Sequence, residues 1–592
     1  MTETINNETS HYKSIVQDLQ VEIPKKMKEL NIPGLAIAIV SRDEVIWIKG
    51  FGYTDKSKKQ EVNAETLFSL QSTTKSVTAI AFLLAVQKGL VSLDDPIIKY
   101  YSDFSVNSRF GDDQVKKITF RHLLSHSSGL ARETRLGGCF NDAPCSWEEH
   151  IQSISGSWLK FPVGEGFSYS NAGMDLVAYL LERITGKPYP DYLQEVLGDP
   201  LGITFRFYVK DIYRQPNAAK GYLDDFEAVH TDDLGLGCGV CYLSIKDLAT
   251  FVRFLLGLGK WNNKQILSTE HVRTMINMDR DGGYGLGTFE LKDFGTSTFY
   301  HPGGGFGLAC TMYWSPEHDT GVAVFINSEY AFEYLGSLAK KVLKRILKAK
   351  GVPSESTDFP YSDASQIQVN PKLFQKLIGM YCGTWDCKEV ALADSILKLN
   401  NSELLPVFSS KKSLVFKTEN ARGVIFQFSD QGKPLMKFYS NYFGILDLHY
   451  IGQTSDQQGP NKEEWKKFIG LYRFSFYSTE AYYQAINIED GYLFVLGDGK
   501  QRLYEHENIP NLFFTIKGDA ILFKEDHLYN DNIKGIKIDD PVKELSGLAQ
   551  KNPNHRYLQG WMLDQAINYL KQLERKEEAE KINQLKQNLE KN

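Results

Sequence analysis

No apolar run in this chain is long enough to cross a bilayer. The longest, Val77–Val86, has ten residues, against the roughly 20 that a span needs. The opening stretch, MTETINNETSHYKS, is polar and lacks the apolar core of a secretory signal. A soluble protein is expected, either cytoplasmic or a mature form whose signal has been removed. An excess of basic charge is missing too. Lys and Arg number 67 against 73 Asp and Glu, giving a net charge of −6 and a pI near 6.1. That argues against a general nucleic-acid binder. Cysteine is scarce: Cys139, Cys145, Cys238, Cys241, Cys310, Cys382 and Cys387. An odd count in so long a chain does not form a disulfide framework. Cys238-Gly-Val-Cys241 has redox or metal spacing, but no second pair or matching histidines accompany it. Reduced, partly buried thiols are expected, with no metal.

What is present suits an ordinary globular protein, with 42% hydrophobic and 24% charged residues. At 592 residues the chain exceeds one core, and two to four domains of about 100–200 residues are expected. Residues 12–30 carry an amphipathic helical pattern (Ile15, Leu19, Ile23, Met27, Leu30). LAIAIV (35–40) and VIWIKGFGY (45–53) flank a polar turn and read as a hairpin. A helix near 73–88 is apolar nearly all round and should be buried. Further helices fit 119–126, 173–185, 190–197, 245–256 and 332–349, and strands fit 286–290, 308–314 and 320–326. An antiparallel sheet packed with helices follows from that order.

The composition changes after residue 350. A polar linker (351–370) precedes short β-rich segments separated by turns. Leu377-Ile-Gly-Met-Tyr381 matches Phe468-Ile-Gly-Leu-Tyr472 at an offset of 91 residues. The expectation is a catalytic domain at 1–350 and two small all-β barrels, at 371–460 and 461–545. A helical tail at 546–592 has an apolar face of Leu558, Met562, Ala566, Tyr569, Leu570 and Leu573. That face either packs on a barrel or mediates self-association, and its charged last turns are expected to fray.

Three short segments carry chemistry. In Ser72-Thr-Thr-Lys75, positions i and i+3 share a helix face. A serine needs a base within hydrogen-bond reach, and burial disfavours a charged lysine, so a buried lysine can take the proton. A helix start would also present the Ser72 N–H to an oxyanion. The same S-x-x-K pattern occurs at Ser10/Lys13, Ser157/Lys160, Ser337/Lys340 and Ser409/Lys412. Only Ser72 opens a buried helix. Tyr169-Ser-Asn171 follows a glycine-containing loop and precedes a helix. Asn171 reads as its N-cap, and Tyr169 as either a packing residue or a proton shuttle. His301-Pro-Gly303-Gly304 stands before an apolar strand. It reads as a hairpin turn, or as a place where a substrate backbone approaches closely with the Gly304 N–H as second oxyanion donor.

Together these segments resemble the serine β-lactamase, penicillin-binding-protein and class C-like esterase superfamily. S-x-x-K, Y-x-N and H-x-G come in that order, and TFRHLLSHSSGL (119–130) resembles the family text between the first two. The resemblance covers about 30–340. It implies an α+β fold with a five-stranded antiparallel sheet, flanking helices and a helical lobe. It implies a covalent acyl-enzyme on Ser72, with acid/base work shared by Lys75 and Tyr169. Asn171, His301 and Gly303 would support substrate, and the Ser72 and Gly304 amides would hold the oxyanion, with no cofactor. The trailing barrels resemble lipocalin-like units that serve specificity or assembly in relatives.

One departure narrows the substrate. Class C β-lactamases carry K-T-G where this chain has His301-Pro-Gly303. A histidine, only partly charged near neutral pH, replaces a permanent cation. H-x-G resembles the D-aminopeptidases, related peptidases and esterases. The expected partner is a small molecule or short peptide: first a D-amino-acid-containing peptide, then a carboxylic ester, then a β-lactam turned over weakly. A non-catalytic binding or assembly protein on the same fold is the competing class. The β units and the C-terminal helix are the candidate surfaces for a homo-oligomer.

Overall fold

The computed structural model describes residues 10–138, 145–208, 212, 215, 217–223, 226–228, 234–278, 283–291, 296–352, 359–382, 387–393, 396–399, 402–410, 412–418, 423–428, 434–440, 444–452, 460–476, 480–497, 499–551 and 561–590. Cys139, Leu558 and part of the expected linker lie outside them. The chain forms two units. The first comprises Met1–Asp103, Lys116–Ser128 and Gly173–Tyr450; the second comprises Phe104–Val115, Gly129–Ala172 and Ile451–Asn592.

The first unit is built on a six-stranded antiparallel sheet. Its order is Val45–Gly52, Gly34–Val40, Thr320–Ile326, Leu308–Ser315, Thr298–Gly305 and Phe289–Leu291. The short last strand adds a sixth to the five expected. It pairs through Phe289 with Tyr300, the residue before His301. Gly34–Val40, Leu308–Ser315 and Thr320–Ile326 are buried at every position. Strands buried on both faces need cover on both, and the helices Ile245–Leu256 and Phe332–Ala349 pack on them. The N-terminal hairpin docks on Thr320–Ile326, Leu35 opposite Ile326. Buried Asn327 closes that seam, accepting from the Gly34 N–H at 2.6 Å and donating to the Thr54 carbonyl at 3.1 Å.

The first helix runs Ser10–Glu29. Ile15, Leu19, Ile23 and Met27 are buried as their spacing requires, but Leu30 lies past its end and is 42% exposed. The apolar helix is Thr74–Gln87, buried from Thr74 to Ala85.

The repeat is structural. Two nine-stranded antiparallel meanders run Gly379–Gly452 and Gly470–Ile538, and in each the first strand pairs with the last. The seam falls between strands adjacent in sequence, Ser402–Glu403 beside Leu405–Ser409 and Gly499–Arg502 beside Tyr504–Glu505. Tyr381 donates its hydroxyl to the Leu377 carbonyl at 2.9 Å, and Tyr472 does the same to Phe468 at 2.8 Å. Matching residues therefore anchor the entry to each barrel.

The tail is three helices rather than one: Pro541–Lys551, Trp561–Gln572 and Lys576–Glu590. The break follows from Glu574 in the left-handed region (φ 60°), with the Arg575 N–H returning to the Leu570 carbonyl at 2.8 Å. Ala566, Tyr569 and Leu570 pack on Leu471, Tyr483 and Leu496 of the second meander. Leu573, partly buried, packs against the same cluster. The charged end does not fray: Ala579 and Ile582 are buried, and Lys586 pairs with Asp564 at 2.7 Å.

Candidate active site

The Ser72 turn is made by a strand that stops abruptly. Leu67–Ser69 pairs with Tyr242–Ser244, and the Leu70 N–H is pinned to the Cys241 carbonyl at 2.7 Å. Gln71 then takes a left-handed conformation (φ 47°), which costs a non-glycine residue about 1–3 kcal/mol. Its side-chain amide holds Ser69 Oγ at 3.0 Å. Gln71–Thr73 form one 3-10 turn before the α-helix begins at Thr74. Ser72 is thus the partly exposed residue between buried Gln71 and Thr73. It precedes the α-helix, rather than opening it as expected.

Lys75 is fully buried, and its Nζ donates to Ser72 Oγ at 3.2 Å and to the Cys238 carbonyl at 2.8 Å. Cys238-Gly-Val-Cys241 therefore enters the site through a carbonyl. Its thiols are buried and outside any disulfide, and burial pushes the Cys241 thiol far up. No metal-ligating cluster occurs among the described residues. The polar residues of this apolar helix tie it to three other segments. Thr73 Oγ1 donates to the His301 carbonyl at 3.1 Å, Ser76 Oγ to Gly287 at 2.5 Å and Thr78 Oγ1 to Gly237 at 2.8 Å.

His301, Gly303 and Gly304 lie within the strand Thr298–Gly305, not in a turn. A Cβ on Gly303 would come 2.2 Å from the Leu70 carbonyl and 2.8 Å from the Ser72 nitrogen. The glycine is there so that the strand can cross the Ser72 turn in contact. His301 is 1% exposed. Its Nδ1 lies 2.7 Å from the Pro302 carbonyl. A carbonyl only accepts, so Nδ1 carries the proton and Nε2 accepts from the Tyr284 hydroxyl at 3.3 Å. Burial, then the Lys75 charge, push His301 down to about 3 against the opposing Pro302 bond. The ring is neutral, which corrects the partial charge expected for it. Tyr284 was missed: nothing in Gly-Gly-Tyr284-Gly distinguishes it from a turn tyrosine.

Tyr169 and Asn171 belong to the second unit. Backbone bonds to Ala131 and Arg132 hold the motif: Ser170 Oγ reaches the Ala131 carbonyl at 2.7 Å and the Asn171 N–H the Arg132 carbonyl at 2.7 Å. The Arg132 guanidinium stands 5.8 Å from the Tyr169 ring centre. Asn171 opens the helix Asn171–Thr185, but its side-chain oxygen accepts no N–H of the first turn, so it is not the cap expected. Its Nδ2 donates to Glu133 Oε1 at 2.7 Å, and its buried Oδ1 has no hydrogen-bond partner among the described residues. Glu133, also missed, lies 38 residues upstream with no motif around it.

A family model described as Beta-lactamase matches residues 20–344, over half of the chain. The chain belongs to the beta-lactamase family. Protein flp of Staphylococcus aureus (strain COL) is 25% identical over 322 residues, 53% of this chain and 64% of that protein. The chain thus spans less than two thirds of that relative's length. Beta-lactamase-like protein 2 of Dictyostelium discoideum is 28% identical over 305 residues, 48% of this chain and 54% of that protein. Among solved structures, SurE is similar with a TM-score of 0.53 at 18% identity, covering 74% of this chain and all of that one. That likeness is one of fold.

Proposed function

We propose that this chain is a serine hydrolase whose nucleophile is Ser72. The observation that carries the reading is the buried Lys75 Nζ at 3.2 Å from the partly exposed Ser72 Oγ. Lys75, charged at rest, first gives up a proton; its neutral amine then takes the hydroxyl proton as Ser72 Oγ attacks the carbonyl carbon of an amide or ester. The oxyanion forms against the Ser72 and Gly304 amides. As the carbon–leaving-group bond breaks, Tyr169 delivers a proton to the departing nitrogen or oxygen. Water then attacks the acyl-Ser72 ester, passing a proton to the Tyr169 phenolate; the acid leaves, and Ser72 Oγ takes its proton back from Lys75.

The neutral His301 favours one side of the substrate choice. Without a cation there, a substrate carboxylate has no partner on that strand. Substrates lacking a neighbouring carboxylate, such as aminoacyl amides and simple esters, fit better than β-lactams. A SurE structure was determined with D-Leu, so D-aminoacyl amides form the first arm of the test and short esters the second. The protein and its Ser72→Ala variant are treated with a fluorescent fluorophosphonate, then assayed on D- and L-aminoacyl p-nitroanilides, short p-nitrophenyl esters and nitrocefin. Labelling confined to the native serine, with turnover in the first two classes, is expected. A folded native protein that neither labels nor turns over any of them would sink the reading.

A further inference from the structure

A second S-x-x-K lysine, set aside at the sequence level, has a use of its own within the second unit. Lys160 Nζ lies 2.6 Å from Asp519 and 2.7 Å from Asp531, all three largely buried. Asp519 also accepts from Thr515 Oγ1 at 3.0 Å, and Asp531 from the Ala520 N–H at 3.0 Å. Desolvation raises both carboxyls; the Lys160 charge holds Asp519 below its ordinary range, while Asp531, sharing that cation, stays above it. The second barrel meets 104–115 and 129–172 closely here. A Cβ on Gly518 would come 2.2 Å from the Lys160 carbonyl. Trp158 stands edge-on to Phe514 at 5.5 Å, and Arg109 covers the same ring at 4.4 Å.

The next barrel residue reaches further. Asn532 is 3% exposed, donates through Nδ2 to the Glu133 carbonyl at 2.7 Å and accepts from Arg135 Nε at 3.2 Å. Glu133 in turn accepts from Asn171 Nδ2 and, at 3.2 Å, from Arg132 Nε. A carboxylate only accepts. It therefore fixes which way the Asn171 amide faces, with Nδ2 on Glu133 and Oδ1 turned elsewhere. We propose that Asn532, at the Asp531-Asn532 corner of the second barrel, is a positioning residue for the Tyr169-Ser170-Asn171 motif, acting through Glu133. The lysine triad secures the corner; Asn532 sets the register of the segment that carries the motif. The proposal rests on the reading that Tyr169 and Asn171 serve the reaction at Ser72.

The test uses the full chain and follows fluorophosphonate labelling in time. Asn532→Ala should still label to full stoichiometry, but about 10–100-fold more slowly, because small misplacements of a reacting group cost about that much. It should lower kcat on the best substrate by a similar factor and leave KM within about twofold. Asn532→Asp keeps the Arg135 bond but has no N–H for the Glu133 carbonyl, and should behave like the alanine variant. Glu133→Gln lets the Asn171 amide turn over and should give the same loss, and the double variant should be no worse than the worse single one. Two results overturn the proposal. One is a labelling rate at the wild-type level in both Asn532→Ala and Glu133→Gln. The other is a reduced labelled fraction whose rate per active molecule is unchanged, the mark of lost folding. If the wild-type protein itself does not label, the hydrolase reading falls and takes this inference with it.

Discussion

Adding one methyl group at Gly303 tests how tightly the Ser72 turn is built. The new Cβ would stand 2.2 Å from the Leu70 carbonyl, 2.8 Å from the Ser72 nitrogen and 3.0 Å from Gln71 Cβ. The first distance is about 1 Å short of ordinary contact between nonbonded heavy atoms. Neither side yields easily. Leu70 is held by its 2.7 Å bond to Cys241, and the strand is held by its pairing from Phe299–Trp314 to Gly305–Leu308. The strain must move the Ser72 turn relative to the strand by about that 1 Å. A displacement of this size costs about 100-fold in rate, or roughly 2.7 kcal/mol of transition-state stabilisation. Overpacking should also cost about 1–3 kcal/mol of stability. Gly547→Ala is the control. Its Cβ meets nothing within 4 Å. Gly303→Ala should therefore lose about 100-fold in kcat and melt several degrees lower, while Gly547→Ala should lose less than about threefold. Steady-state kinetics with calorimetry on both variants decides it. A folded Gly303→Ala protein within about threefold of wild type would refute the close-crossing argument.

Ser72→Ala should abolish fluorophosphonate labelling and turnover with little change in Tm, since Lys75 keeps its bond to the Cys238 carbonyl at 2.8 Å; an active variant would move the nucleophile elsewhere. His301, pushed down to about 3, leaves the folded state unprotonated while the unfolded chain takes up a proton below about 6.5. Its contribution to stability is full above that pH and falls as pH drops towards 3, by up to about 1.4 kcal/mol per unit. Urea unfolding at pH 7.5, 5 and 4 should show wild type losing ground to His301→Asn on acidification; a parallel response would contradict a neutral imidazole. Lys160→Met should cost about 3–5 kcal/mol, because it leaves two largely buried carboxylates without their cation. The deficit should shrink as the pH is lowered, because protonating Asp531, whose carboxyl burial raises, removes one of the two uncompensated charges; equal melting of variant and wild type at pH 7 would remove the triad from the account of the second unit.

Periodicity and local pattern were enough for the elements. All-round apolarity marked Thr74–Gln87 as buried, alternation and β-rich runs marked the hairpins, and five residues at an offset of 91 marked two barrels with one plan. These are local properties, written within one or two turns of chain, and so the family, the fold and the Ser72/Lys75 pair were legible. The i, i+3 spacing together with the apolar helix singled out Lys75, since Lys160 shares the spacing with Ser157 and is turned to Asp519 and Asp531 instead. Relations between distant segments were not legible, because no local pattern encodes a partner. The Cys238 carbonyl on Lys75 Nζ is 163 residues away in sequence, and the Asn532 amide on Glu133 is 399 residues away. His301 shows the division most clearly. Its position after the other two motifs was a fact of the chain, but its charge was not. Whether an imidazole near pH 7 carries a proton depends on burial and neighbours, and only the tertiary structure supplied the burial and the Lys75 charge that keep this one neutral against the opposing Pro302 carbonyl.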